Sequence, residues 1–181
     1  MTDDGDGAVA VATRDRPVGL TPATSGGPPT RPADRWALIA FLVVTVASIP
    51  LLPRRWAAVW QSEKYTKAQQ VRGTAKLHTT LTPTEESGTL VAYLYDVGPL
   101  GLGKLVSNAP YTFHGQTPGK PFDVDLELFS TAYDVPAGHR LALVVDTVDP
   151  LYIEHNPSGA QLTFSSPATD PSYVSIPLRE Q

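Results

Sequence analysis

The stretch Pro121–Phe129, PFDVDLELF, decides the fold. Phe122, Val124, Leu126 and Leu128 alternate with Asp123, Asp125 and Glu127. Successive side chains of a strand point to opposite faces, so this run is a strand with one apolar and one acidic face. Upstream, Thr74–Leu81 and Thr89–Val97 are rich in β-branched and aromatic residues. They are separated by the turn set Pro83-Thr84-Glu85-Glu86-Ser87-Gly88 and closed by Gly98-Pro99. Lys104–Asn108 is a short strand after a glycine-rich link. Downstream, the turn Asp134-Val135-Pro136-Ala137-Gly138 leads into His139–Asp146, whose continuous Leu141–Val145 run predicts a strand buried on both faces. Gln161–Ser165 and Tyr173–Leu178 complete the set. About seven short strands with Pro/Gly breaks and no helical period between them predict an all-β antiparallel sandwich over residues 74–181.

Outside that domain the texture changes. Residues 1–35 have no apolar period and end in Ser25-Gly26-Gly27-Pro28-Pro29-Thr30-Arg31-Pro32, so they are expected to form a disordered tail. Residues 36–53, WALIAFLVVTVASIPLLP, carry no charge and suggest one apolar helix. Eighteen helical residues span about 27 Å, just short of a hydrocarbon core of about 30 Å. Trp36, Trp56 and Trp60 flank the run as interfacial anchors would, which makes a single-pass transmembrane helix one reading. Pro50 opposes it, because proline breaks or kinks a last turn, and a buried or docking segment is the other reading. Residues 54–73 contain acceptable helix formers closed by Gly73 and are expected to be a connecting helix or linker.

Composition excludes several classes. The chain has 181 residues, 14 basic against 18 acidic side chains, and a pI near 5.5. That balance lacks the basic footprint of a nucleic-acid binder. With no cysteine, disulfides, thiolate metal sites and cysteine nucleophiles are out.

Motifs for chemistry are equally sparse. No G-x-S-x-G elbow exists, and Ser87, Ser107, Ser158 and Ser165 sit in turn or strand contexts. Gly98, Gly101 and Gly103 with Lys104 imitate a phosphate loop poorly, since no helix follows. His78, His114, His139 and His155 are widely spaced and form neither H-x-x-x-H nor H-E-x-x-H, so no metal site is assigned. The Asp123/Asp125/Glu127 row invites a calcium or carboxylate-pair reading. Successive members lie about 7 Å apart along the strand, which favours a solvated face. The Asp146–Pro150 loop is acidic and is treated the same way. Tyr93, Tyr95, Tyr133, Tyr152 and Tyr173 would serve as sugar-stacking platforms, but strand tyrosines more often pack in or around the core. The residues thus assign no catalytic, cofactor-binding or metal-ligating position.

One resemblance goes further. The runs AYDVPAGHRLALVVDTVDPLYIEHNPSGAQLTFSSP (Ala132–Pro167), DPSYVSIPLRE (Asp170–Glu180) and GTLVAYLYDVGPLGLGKLVS (Gly88–Ser107) resemble the C-terminal, non-catalytic domain of X-Pro dipeptidyl-peptidases and cocaine-esterase-like serine hydrolases. The junction Arg55–Trp60 and QSEKYTKAQQVRGT (Gln61–Thr74) is similar too, so the likeness covers about residues 55–180. Its distinctive elements are L-Y-D-V and P-A-G-H-R-L. The resemblance implies a jelly-roll β-sandwich like galactose-binding domains, packed in the family against an α/β-hydrolase domain that holds the Ser, Asp and His triad. No such domain is recognisable here, so no catalytic residue carries over.

The expected function is therefore a non-catalytic accessory or binding module. Its apolar docking face would take a hydrolase subunit or another copy of the chain. The alternative is one part of a serine hydrolase, with dipeptidyl-peptidase or esterase activity, completed by a separate catalytic chain. Nucleic acid is not an expected partner, and membrane association through residues 36–53 is left open.

Overall fold

The computed structural model describes residues 8–10, 17–19, 46–52, 57–148, 156–157 and 159–180. Among them lie fourteen strands: β1 (Ala8–Ala10), β2 (Pro17–Gly19), β3 (Val46–Ser48), β4 (Ala57–Gln61), β5 (Gln69–Gly73), β6 (Lys76–Pro83), β7 (Gly88–Val97), β8 (Leu102–Phe113), β9 (Phe122–Glu127), β10 (Thr131–Val135), β11 (Arg140–Asp146), β12 (Gln161–Ser165), β13 (Tyr173–Ser175) and β14 (Leu178–Glu180). One 3-10 turn, Ile49–Leu51, follows β3. Every strand pairing is antiparallel.

Two large sheets face each other. The five-stranded sheet runs β3-β8-β7-β11-β4. In the other, β6 pairs with β9 along one edge, while β12 and β13 lie end to end along its second edge. β2 and β1 extend those two outward. A small sheet, β10-β5-β14, stands beside them. Leu77, Leu81, Val124, Leu126, Leu162 and Phe164 of the β6 sheet meet Leu90, Leu94, Leu141, Leu143 and Val145 of the five-stranded sheet in one buried core. This is a β-sandwich.

The alternation that decided the fold is realised. On β9, Val124 and Leu126 are buried while Asp123, Asp125 and Glu127 are exposed. The β11 strand is buried on both faces as expected: Leu141, Leu143 and Val145 join the inter-sheet core, whereas Ala142 and Val144 join a second cluster on the outer face. β7 behaves alike, with Leu90, Ala92 and Leu94 inward and Val91, Tyr93, Tyr95 and Val97 outward.

The N-terminal expectations need correction. The apolar helix over 36–53 is not what residues 46–52 form. They form β3 and the 3-10 turn, with Val46–Ser48 paired to Leu102–Lys104. Pro50 cannot continue a helix, and Ile49 instead sits fully buried against the outer cluster. Ala47 and Ile49 are thus part of the apolar cluster on the outer face of the five-stranded sheet. Residues 36–45 and 53–56 lie outside the described residues. No helix among the described residues is long and apolar enough to cross a membrane. Trp60 is no interfacial anchor either: it packs edge-on to Phe164, centroids 5.7 Å apart, at the rim of the core.

Where a connecting helix was expected over 54–73, the chain forms β4 and β5. Ala57 and Val59 pack outward while Ala58 and Trp60 pack inward, a period of two that overrides the helix propensity of alanine. The free edge of β11 supplies the partner for β4. Within the tail 1–35, β1 and β2 are extended and paired to β13 and β12, a backbone attachment that requires no apolar period. The rest of that tail lies outside the described residues.

Candidate functional site

The β10–β11 connection and the β7–β8 hairpin meet at one end of the five-stranded sheet. Pairing of Leu141 with Asp96 and of Arg140 with Val97 brings His139 beside Asp96. The imidazole Nδ1 stands 2.9 Å from Asp96 Oδ1, and the Tyr133 hydroxyl donates to Asp96 Oδ2 at 3.0 Å. Asp96 is only 5% exposed, so both carboxylate oxygens are satisfied by protein rather than by water. Burial, the Asp96 charge and their hydrogen bond push the Tyr133 phenol up to about 12. The Lys104 ammonium lies 5.2 Å from the centre of the Tyr133 ring, a cation–π contact. The far edge of the imidazole abuts Gly98, where a β-carbon would sit 3.4 Å from His139 Cε1. Asp96 belongs to L-Y-D-V and His139 to P-A-G-H-R-L, so the two distinctive motifs form one buried network.

A second constellation covers the solvent face of the β6 sheet. Opposite each carboxylate of the β9 row stands a β6 side chain. Lys76 pairs Glu127 at 2.7 Å, His78 Nδ1 pairs Asp125 at 2.8 Å, and Thr80 donates to Asp123 at 2.9 Å. The row is thus a cross-strand ladder, as the solvated-face reading requires. His78 Nε2 also faces Asp170 Oδ1 at 3.2 Å, in ion-pair geometry rather than an aligned hydrogen bond. The Asp125 hydrogen bond first, then Asp170, holds the imidazole above its usual pKa against the opposing effect of burial. Beside this ladder a cleft of about 430 Å³ is lined by Thr80, Thr82, Pro121, Asp123, Ser165, Pro167, Thr169 and Asp170. Its wall, the excursion between β12 and β13, is fastened by Ser172, whose hydroxyl contacts Ser165 O at 2.7 Å and Thr79 Oγ1 at 3.1 Å.

The other singled-out residues are dispersed. His114 is exposed on the link after β8. Ser107 is buried and donates to the Phe129 carbonyl; Ser87 and Ser165 are half-buried. His155, Ser158, Tyr152, Asp149 and Pro150 lie outside the described residues. Gly98–Gly101 is a hairpin turn, with Gly101 N–H donating to Gly98 O at 2.9 Å, and Lys104 is used on Tyr133. Tyr93 and Tyr95 are buried, whereas Tyr173 exposes 41% of its surface and stacks on His78 at 5.2 Å. Asp146 is pushed up to about 6 by burial, against backbone hydrogen bonds from Val148 and Thr147. Among the described residues no group of three or more His, Asp or Glu is disposed to hold a metal ion.

One residue with a clear structural task was missed in the sequence. Asn156 accepts from Thr89 N at 2.7 Å and donates to Thr89 O and Thr147 O, both at 2.8 Å. It ties the long β11–β12 connection to the start of β7. Its signal, an Asn before Pro157 in a turn-rich stretch, was visible but not its partner.

The family described as X-Pro dipeptidyl-peptidase C-terminal non-catalytic domain matches residues 53–175, a span that contains both motifs of the network. The chain belongs to this family. Similar solved structures include an α-amino acid ester hydrolase, 21% identical with a TM-score of 0.70, covering 94% of this chain and 33% of that one. An aminopeptidase from a marine sediment Thaumarchaeota archaeon is 16% identical at a TM-score of 0.75, covering 99% and 36%. A CocE/NonD family hydrolase from Staphylococcus aureus is 13% identical at 0.55, covering 67% and 32%. At these identities the likeness is one of fold. The chain spans about a third of the length of each of these structures. No curated protein matches it in sequence.

Proposed function

We propose that this member of the X-Pro dipeptidyl-peptidase C-terminal family is an accessory sandwich, jelly-roll in its connections and akin to galactose-binding domains. It docks on an α/β-hydrolase unit and shapes the approach to that unit's active site. The observation carrying this reading is the use of His139. The family's P-A-G-H-R-L histidine is bonded to buried Asp96 and braced against the hairpin backbone at Gly98, so it orients structure rather than a nucleophile. A second reading is one part of a serine hydrolase, with dipeptidyl-peptidase or esterase activity, completed by a separate catalytic chain; the likeness to about a third of each solved hydrolase supports it.

The test uses a serine-directed fluorophosphonate beside an aminoacyl-prolyl chromogenic substrate and an aryl ester. The purified chain alone is expected to show neither labelling nor turnover. Covalent labelling with turnover by the chain alone overturns the accessory reading. Appearance of activity only when an α/β-hydrolase subunit is added favours the second.

A further inference from the structure

We infer that the tip of the β7–β8 hairpin and the adjoining 3-10 turn form a lipid-surface contact, an apolar knob that enters the headgroup boundary of an anionic bilayer. Gly98-Pro99-Leu100-Gly101 is a tight turn closed by Gly101 N–H to Gly98 O at 2.9 Å, with Gly101 at φ 77°. Leu100, at its crest, is 88% exposed. A turn of this type accepts most residues there and has no need of leucine. The neighbouring 3-10 turn sets Pro50 against Gly101 and is pinned by Ile49 N–H to Gly101 O at 3.1 Å. Its Leu51 is 80% exposed. Register completes the patch: Ser48 lies opposite Leu102 and Val46 opposite Lys104. Directly opposed residues share a face, so exposed Val46 and Leu102 flank the Lys104 position.

The occupant follows from shape, charge and chain path. The exposed leucines crown two turns, which suits insertion into a fluid interface better than pairing with a flat protein face. Neither Val46–Leu52 nor Gly98–Lys104 contains an acidic residue, and Lys104, opposite Val46 and two positions from Leu102, supplies positive charge within the patch. The ten residues leading into β3, WALIAFLVVT, carry no charge, so the sequence reaches the knob through apolar residues.

The experiment exploits the absence of cysteine, which makes Leu100→Cys a unique labelling site. Full-length chain labelled there with an environment-sensitive fluorophore is titrated with vesicles of phosphatidylcholine and phosphatidylserine at 3:1, and with phosphatidylcholine alone. A blue shift that is stronger on the anionic vesicles is expected. In co-sedimentation, Leu51→Ser with Leu100→Ser is expected to weaken partition by on the order of tenfold or more, since each removes one buried leucine. Both positions are exposed, so the melting temperature should hold. Absence of a blue shift, or undiminished sedimentation of the double variant, overturns the inference. So does a dimer in buffer that the same variant dissolves, which would assign the patch to a second copy.

Discussion

Removing the phenol of Tyr133 isolates the buried network, because Tyr133→Phe keeps the ring that Lys104 overlies and deletes only the donor. The hydroxyl reaches Asp96 Oδ2 at 3.0 Å, and Asp96 is 5% exposed. A hydrogen bond to a charged acceptor contributes about 1.5–3 kcal/mol net, and a buried carboxylate oxygen left without its donor sits at the costly end of that range. Tyr133 itself is half-buried, so deleting its own desolvation returns part of the loss. A destabilisation of about 2 kcal/mol is therefore expected, with a fall in Tm on the order of 5–10 °C for a domain of this size. Urea unfolding followed by tryptophan fluorescence measures it, and Tyr173→Phe, at an exposed ring, serves as the control expected within about 0.5 kcal/mol of the parent. Pairing Tyr133→Phe with His139→Asn should give a non-additive cycle, since both side chains act on one carboxylate. A Tyr133→Phe variant as stable as the control would refute the network as the element joining the two motifs.

Titration supplies a further prediction. Asp146 stands at about 6 in the fold against an ordinary 3.8, so the fold favours its protonated form. That stabilisation is complete below about pH 4 and lost as pH rises through 6. The raised His78 acts in the same direction, its contribution present below about 6.5 and lost as pH rises through its higher folded value. The urea midpoint should accordingly be higher at pH 5 than at pH 8. Asp146→Asn should flatten that difference and raise stability at pH 8 by up to about 3 kcal/mol, and an unchanged pH profile would sink the assignment. At Gly101 a β-carbon would lie 2.8 Å from Pro50 Cγ, whereas at Gly119, with the same φ of 77°, nothing lies within 4 Å. Gly119→Ala should cost about 1–2 kcal/mol for the left-handed backbone alone, and Gly101→Ala measurably more. Equal losses would mean that the 3-10 turn does not rest on the hairpin.

Legibility in the sequence followed the physics of each element. β9 declared itself because one of its faces is dry and the other wet, and β11 because both of its faces are dry. β4 was hidden because Ala57, Ala58 and Trp60 suit a helix locally, and only the open edge of β11 makes them a strand. β3 was hidden because an apolar run has no period when both its neighbours and its solvent are unknown. β13 and β14 were read as one strand, although the Ile176-Pro177 step lets the chain leave one sheet for another. For the site, the side-chain types were visible but not their meeting. Asp96 and His139 are 43 positions apart, and nothing short of the β7–β11 register could join them.

That register also links the buried network to the exposed knob. His139 braces Gly98, the first residue of the turn whose crest is Leu100, while Tyr133 and Lys104 fasten the hairpin arm on its other side. A two-residue crest carrying an exposed leucine would by itself sample many orientations. Here the turn is tied by Asp96 to β10 and to the β10–β11 turn, and by Ile49 to the 3-10 turn, so the leucines are displayed from a fixed base. Ordering entropy already lost in folding need not be lost again on contact, which favours attachment at the same apolar area. A buried charge network costs desolvation, and an apolar residue of similar size at position 96 would often serve stability as well. What the carboxylate adds is direction: its two oxygens, one bonded to Tyr133 of β10 and the other to His139 in the β10–β11 turn, fix how the hairpin projects. The family motifs in this chain are thus devoted to aiming a surface.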